Sequence, residues 1–134
     1  MKSVNVKIER GEDGTYGACI EDDSLPFGII GDGKTVTEAK ADFMNSYEEM
    51  KQYFLDTNKD FVECKFNFAF DIASFLNYYS KILSLAGLER ITGVNQGQLS
   101  HYVTGHRKPG RKTVEKIERN LKEFAEELRE VEFI

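Results

Sequence analysis

The chain has 134 residues, of which 40% are hydrophobic, and a formal net charge of −5. No apolar run approaches the roughly 20 residues that a membrane-spanning helix needs, and the first residues do not resemble a signal peptide, so we expect a cytoplasmic protein of one or two small domains. The charge is uneven, because residues 1–70 hold 8 basic and 14 acidic side chains whereas residues 81–122 hold 9 basic and 3 acidic ones. Opposite charge in two halves indicates different partners, although a solvated acidic face is equally common.

Four strands are predicted in the first 70 residues. Apolar and polar residues alternate through residues 4–8, 16–20 and 62–70, which is the period of a strand with one buried face. The glycine-containing turn between the first two strands predicts an antiparallel hairpin. A short third strand is expected at residues 27–30, after which residues 31–33 are expected to turn the chain toward a helix.

The helix is predicted between the third and fourth strands. Thr35 and Glu38 match a capping box, which marks the start of a helix. Apolar residues then recur every three or four positions from Val36 to Phe54, so the helix should end near Leu55 and cover one face of the sheet. The expected order is therefore strand, strand, strand, helix, strand.

Residues 84–105 predict two short helices joined by a glycine turn. Ser84 and Asn95 are suitable N-caps, and Gly93 and Gly105 can adopt the left-handed conformation that ends a helix. The pattern is typical of a helix-turn-helix, in which the second helix enters the major groove of DNA. The alternative is an ordinary pair of amphipathic helices. The apolar residues at helical spacing are Leu85, Leu88, Ile91, Leu99, Tyr102 and Val103.

The exposed face of the second helix and the basic segment after it are the predicted DNA contacts. Glutamine is a suitable bidentate partner for adenine, and His101 can donate or accept a hydrogen bond. Residues 92–114 hold four arginines and lysines and no acidic residue, so they are expected to contact phosphate, with Pro109 and Gly110 keeping the segment out of a helix. A solvated basic loop is the alternative. The predicted DNA-binding residues are Asn95, Gln96, Gly97, Gln98, His101, Thr104, Arg107, Lys108, Arg111 and Lys112.

Residues 88–109 resemble the Xre or phage-repressor family of helix-turn-helix domains. The matching residues are Leu88, Gly93, Leu99 and Gly105. The family usually carries alanine at the position of Glu89, where the two helices pack closely. We therefore expect either a shifted crossing angle between the helices or a carboxylate that reaches outward.

Residues 16–54 resemble the N-terminal domain of HicB-type antitoxins, which typically show a proline before a glycine and then Gly-Asp-Thr-x-x-Glu-Ala at the start of a helix. The matching residues are Pro26, Gly28, Gly31, Asp32, Gly33, Thr35, Glu38 and Ala39. Lys34 departs from the pattern as an insertion-like residue before the threonine. Together with the C-terminal helix-turn-helix, the resemblance covers nearly the whole chain.

The resemblance implies an α+β chain with a partial RNase H-like unit, without nuclease activity, at residues 1–70 and a helix-turn-helix domain at residues 71–134. It further implies the antitoxin of a type II toxin–antitoxin pair. The first domain would mask a small basic HicA-like ribonuclease toxin, and the second would repress the shared operon. The alternative is a stand-alone transcriptional regulator whose N-terminal domain oligomerises or binds a small ligand.

The predicted toxin contacts are Glu21, Asp22 and Asp23, because three consecutive carboxylates can attract a basic surface. A solvated turn is the equally weighted alternative. No other residues of the N-terminal half are assigned to this partner.

The C-terminal half predicts a bracing helix in the segment from Asp71 to Ser80, with Asp71 as its cap, and a final helix with an apolar a/d repeat. This repeat either packs on its own domain or joins copies of the chain, and a two-fold operator favours a homodimer or a higher homo-oligomer. The candidate dimer residues are Val114, Ile117, Leu121, Phe124 and Leu128. Residues 131–134 are expected to pair as a short strand.

No catalytic, cofactor or metal site is predicted. The carboxylates on the predicted strands do not converge as a two-metal nuclease would require, and neither His101 nor His106 has a carboxylate or thiolate partner at a useful spacing. Cys19 and Cys64 lack metal-ligand neighbours and are expected to be buried, reduced thiols. A nuclease function would require metal-dependent cleavage by the purified chain.

Overall fold

The structure is a computed structural model that describes residues 1–21 and 23–134. Within these residues it contains one four-stranded mixed sheet and five helices, which confirms the α+β class. The chain divides into two compact units, Met1–Asp71 and Ile72–Ile134. The predicted boundary between residues 70 and 71 lies one residue before this division.

The first unit is a sheet with one long helix. Its elements are β1 (Lys2–Arg10), β2 (Tyr16–Ile20), β3 (Ile30–Gly33), α1 (Val36–Asp56) and β4 (Cys64–Phe70). The spatial order is β3-β2-β1-β4; β1 pairs with β2 antiparallel and with β4 parallel, and β2 pairs with β3 antiparallel. The predicted order of strands and helix is confirmed.

The core of this unit lies between the sheet and α1. Val4, Val6 and Ile8 on β1 are buried, and on α1 Phe43 and Tyr47 are buried on the stripe that the sequence predicted. Burial of such side chains removes apolar surface from water and holds the helix on the sheet. Phe43 makes edge-to-face contacts with two phenylalanines of β4, at centroid distances of 4.9 and 5.5 Å.

The predicted cap of α1 is confirmed in part. The side chain of Thr35 accepts a hydrogen bond from the Glu38 N–H at 3.1 Å. The Glu38 carboxylate accepts from the Lys34 N–H at 2.7 Å instead of from the Thr35 N–H that a capping box uses. The insertion-like Lys34 therefore supplies the second donor.

The position of β3 differs from the prediction. The strand starts at Ile30 and runs to Gly33, so the residues expected to form a turn belong to the strand. The reason is close approach to α1: a Cβ on Gly31 would lie 2.4 Å from the Ala39 carbonyl, and one on Gly33 would lie 2.5 Å from the Glu38 Cβ. The two glycines let the strand lie against the helix backbone.

The fourth strand and the cysteines correct two further predictions. β4 begins at Cys64 and not at Val62, which is 51% exposed. Cys64 is buried, as expected, but Cys19 is only half-buried because its side chain lies on the sheet face opposite α1. Burial raises the pKa of both thiols.

The second unit is helical. Its elements are α2 (Ile72–Tyr79), α3 (Leu85–Thr92), α4 (Gln96–Thr104) and α5 (Arg111–Arg129). Its core consists of Leu76, Leu88, Val94, Leu99, Tyr102 and Ile117. The prediction of a short strand at residues 131–134 is wrong, since this segment follows α5 without regular structure and Phe133 is 93% exposed.

Candidate nucleic-acid interface

The candidate interface is built on α3 and α4, whose ends lie where the sequence predicted. Ser84 caps α3, because its side chain accepts from the Gly87 N–H at 3.0 Å. Gly93 ends α3 in the left-handed region with φ 74°, and Gly105 ends α4 with φ 77°. Only the three residues Gly93, Val94 and Asn95 separate the two helices, and Val94 is buried against the core.

The turn between α3 and α4 is held by side chains on both sides. The Thr92 hydroxyl donates to the Leu88 carbonyl at 2.7 Å and accepts from the Val94 N–H at 3.1 Å. From α5, the Asn120 amide donates to the Thr92 carbonyl at 2.7 Å, and the Lys116 ammonium donates to the Gly93 carbonyl at 3.2 Å. Because the carbonyls at the end of α3 have partners, the turn holds α4 at a defined angle to α3 and α5.

The N-terminus of α4 receives two side-chain acceptors. The Asn95 side chain accepts from the Gly97 N–H at 2.7 Å, and a Cβ on Gly97 would lie 2.9 Å from that same oxygen. Glycine at position 97 therefore makes room for the cap. The Glu89 carboxylate accepts from the Gln96 N–H at 2.8 Å, so it reaches the start of α4 and does not point simply outward.

The outer face of α4 is polar and open. Leu99 and Tyr102 are buried and Val103 packs against the core, which leaves the opposite face of the helix exposed. The exposed residues on this face and at its start are Asn95, Gln96, Gly97, Gln98, Ser100, His101 and Thr104. The side chain of Ser100 is shorter than those of the glutamines and His101. Of the exposed residues, Asn95 is used as a cap and the Thr104 hydroxyl donates to the His101 carbonyl at 3.2 Å, so the side chains of Gln96, Gln98 and His101 are the best placed to meet a ligand.

The basic segment folds back beside the C-terminal end of α4. The Arg107 N–H donates to the His101 carbonyl at 3.3 Å, and the imidazoles of His101 and His106 are 4.9 Å apart between centroids. Arg107 and Lys108 are exposed. Arg107, one of the four predicted phosphate contacts, therefore lies at the C-terminal end of α4 beside His101.

The expectation that Pro109 and Gly110 keep the whole segment out of a helix is wrong for its second half. Gly110 is the N-cap of α5, which begins at Arg111, so Arg111 and Lys112 lie in the first helical turn. Glycine is tolerated as an N-cap although it supplies no side-chain acceptor. Arg111 forms an ion pair with Glu115 at 3.1 Å in which both side chains are exposed.

The two cations at the start of α5 lie where helix electrostatics disfavours them. The N-terminus of a helix carries a partial positive charge and free N–H groups, and it normally attracts acidic residues. The first turn of α5 contains no acidic residue and no side-chain cap. This end of the helix thus combines backbone donors with Arg111 and Lys112, an arrangement suited to an anion.

The apolar stripe of α5 is divided between two environments. Ile117 is 1% exposed in the core of its own unit, and Leu121 packs against that core. Ile117 therefore has no surface to offer a second copy. Val114 and Phe124 are half-buried, whereas Leu128 is 56% exposed.

Two of the three predicted toxin contacts, Glu21 and Asp23, lie shortly after β2. Glu21 and Asp23 are exposed, and Asp22 lies outside the described residues. Asp23 borders a hollow of about 370 Å³, and a second hollow of about 450 Å³ lies on the far side of Ile30, next to Glu49. Ile30 lines both hollows and is 65% exposed. The sequence did not predict this exposure, because the short apolar run around Ile30 does not show which of its residues remain uncovered.

Residues 1–21 and 23–134 contain no group of three or more histidine, cysteine or acidic side chains that could hold a metal ion. None of the helices in this part of the chain is long and apolar enough to cross a membrane. Comparison of the chain with protein-family models, with curated proteins and with solved structures finds no match.

Proposed function

We propose that the second unit binds double-stranded DNA, with α4 in the major groove and residues 107–112 on the phosphate backbone. The observation that carries the proposal is the hydrogen bond between the Arg107 N–H and the His101 carbonyl, which places a basic segment directly beside the exposed polar face of α4. In a helix-turn-helix, contacts to phosphate position the protein and the second helix reads the bases.

Electrostatics supports this proposal. Residues 72–134 hold 10 basic and 8 acidic side chains, and five of the acidic ones lie between residues 123 and 132 at the other end of α5. The cations at the start of α5 destabilise the helix by themselves, and a phosphate at this end would reverse that effect. Each phosphate neutralised should make binding more salt-dependent, with a slope of about 0.9 per contact.

The best-placed side chains suggest how bases are read. Gln96 and Gln98 lie in the first turn of α4, and glutamine amides suit the N6 and N7 edge of adenine. His101 lies one turn further along, next to His106. We assign the contacts with bases to the two glutamines and His101. The contacts with phosphate are assigned to Arg107, Lys108, Arg111 and Lys112.

The broader proposal is that the chain is a cytoplasmic antitoxin and autorepressor of the HicB type, with no catalytic role or cofactor of its own. The first unit holds 8 basic and 15 acidic side chains, which suits a basic ribonuclease surface. Ile30, exposed between two hollows with Asp23 and Glu49 at their borders, offers that partner an apolar anchor within an acidic rim. Anchors of this kind are common at protein interfaces.

A homodimer is the proposed assembly, because a dimer can contact two half-sites about one helical turn of DNA apart. The exposed end of the α5 stripe supports it, because Leu128 is 56% exposed and follows the half-buried Phe124 at heptad spacing. Ile117 is excluded from this interface by its burial.

The DNA proposal is tested by selecting duplexes from a randomised library with the purified chain and measuring affinity for a selected and a random duplex. The Gln96→Ala, His101→Ala double variant should lose preference for the selected duplex, whereas Arg107→Ala should weaken binding to both. Arg129→Ala, in the acidic end of the same unit, is the control and should change neither. Equal loss on both duplexes for every variant would contradict the assignment of the reading residues.

The antitoxin proposal is tested separately. The reading frame beside this gene is expressed with and without the chain, and growth and RNA integrity are recorded. Arrest that the chain relieves supports the antitoxin role, and Ile30→Ser or replacement of Glu21, Asp22 and Asp23 by serine should then weaken the complex in a titration. A neighbour without toxicity would favour the stand-alone regulator instead.

A further inference from the structure

Glu89 places a carboxylate at the start of α4. Its Oε1 atom accepts from the Gln96 N–H at 2.8 Å, and Gln96 is the first residue of α4. Glu89 itself belongs to α3 and is half-buried between the two helices. The free N–H groups at a helix N-terminus are otherwise a ready site for phosphate, and here one of them is occupied by a negatively charged side chain.

The carboxylate is not required for α4 to begin. Asn95 already caps the helix through the Gly97 N–H, and α5 holds the preceding turn through Lys116 and Asn120. The residues around the turn thus position α4 without the charge of Glu89. What Glu89 adds is a negative charge at the Gln96 N–H, at the end of α4 whose glutamines are proposed to meet the bases.

We propose that Glu89 is a specificity-determining residue for DNA binding. It excludes phosphate from the N-terminus of α4 and so disfavours sequence-independent binding, and it orients the first residue of the helix so that Gln96 faces the bases. A phosphate that approached this end in a misaligned complex would meet a like charge and an N–H that is already bonded. In the aligned complex the phosphates are bound by residues 107–112. This inference rests on the proposed DNA binding.

The decisive variant is Glu89→Gln, which keeps an oxygen that can accept from the Gln96 N–H but removes the charge. Affinity for a random-sequence 24-base-pair duplex should rise about threefold to tenfold at 0.1 M salt, as expected for one charge close to a phosphate in water. Affinity for the duplex that the wild-type chain selects should change less than twofold. The ratio of selected to random affinity should therefore fall, and the effect should shrink as salt is raised.

Two further variants separate charge from structure. Glu123→Gln removes one negative charge from the far end of α5 and is the matched control for net charge. Glu89→Ala removes both charge and hydrogen bond, so it should lower the ratio at least as much as Glu89→Gln. Circular dichroism of each variant shows whether α4 remains folded, and an unfolded Glu89→Ala leaves the comparison of the two glutamine variants intact.

The inference is overturned if Glu89→Gln raises affinity for both duplexes equally, or if it changes the ratio no more than Glu123→Gln does. Failure of both the wild type and Glu89→Gln to bind any duplex overturns the proposed function itself and this inference with it. These results are distinct, because the first leaves DNA binding in place and the second does not.

Discussion

The two units position their helices in different ways. In the first unit, β3 approaches the backbone of α1 because Gly31 and Gly33 have no side chains there. In the second unit, the turn between α3 and α4 is held by side chains that reach backbone groups, such as Asn120 and Lys116. The close contact in the first unit therefore depends on steric fit, whereas the turn in the second unit depends on hydrogen bonds and leaves one face of α4 open.

The largest loss of stability is expected when an added side chain blocks the close approach of β3 to α1. Gly31→Ala should destabilise the first unit by about 3 kcal/mol, because its Cβ would lie 2.4 Å from two backbone atoms of α1. The free energy of unfolding is measured by chemical denaturation, and the backbone amide signals of each unit are followed separately. Signals of residues 72–134 should persist when those of the first unit are lost, since the two units are separately compact.

Gly28→Ala is the control, because no atom lies within 4 Å of the added Cβ. It should change the free energy of unfolding by less than about 0.5 kcal/mol. Equal destabilisation by the two substitutions would mean that β3 does not approach α1 as closely as described.

The next largest loss of stability is expected when the hydrogen bond between Tyr47 of α1 and Cys64 of β4 is removed. The buried Tyr47 hydroxyl accepts from the Cys64 N–H at 2.9 Å, and burial raises its pKa. Tyr47→Phe should cost about 2 kcal/mol, because a buried N–H is left without a partner. Tyr53→Phe removes a hydroxyl from a half-exposed ring of the same helix and should be nearly neutral in the same denaturation experiment.

In the second unit, comparison of Gly93→Ala with Gly105→Ala distinguishes the cost of backbone strain from the cost of side-chain crowding. Both glycines have φ near 75°, but only a Cβ on Gly93 would meet a neighbour, the Lys116 Cε at 3.2 Å. Gly105→Ala should cost about 1 kcal/mol for the left-handed conformation, and Gly93→Ala should cost more. If thermal unfolding shows the two to be equal, Lys116 does not hold the turn.

The smallest change in stability is expected when the pH is lowered. A hydrogen bond from Lys51 lowers the pKa of Glu63 below its ordinary range. A carboxylate with a lowered folded-state pKa stabilises the protein above its unfolded pKa, roughly 4.3, and this contribution is lost as pH falls through the folded-state value. The free energy of unfolding of the wild type should therefore fall more steeply below that pH than that of Glu63→Gln, and parallel pH profiles would contradict the ion pair.

Local sequence patterns predicted much of this structure. Ser84, Gly93, Asn95 and Gly105 mark the ends of α3 and α4 because caps and left-handed glycines act within a few residues. The strand alternation likewise located β1 and β2. Signals of this kind depend on short-range geometry, which the sequence carries directly.

Features that depend on distant residues were not predictable in the same way. The range of β3 depends on how closely Gly31 meets α1, and the half-exposure of Cys19 depends on which sheet face α1 covers. The reach of Glu89 to Gln96 depends on the turn between them. At the candidate interface, the sequence predicted the exposed face of α4 and the cations after it, but it did not predict that α5 starts at Arg111.

The most direct test of the proposed division of roles is the amide spectrum of the isotope-labelled full chain during titration with a duplex selected from a randomised library. Binding should shift or broaden signals of residues 95–112 at low salt, should leave residues 2–33 unchanged, and should reverse as salt is raised. Changes confined to the acidic first unit, or no change at saturating duplex, would contradict the account.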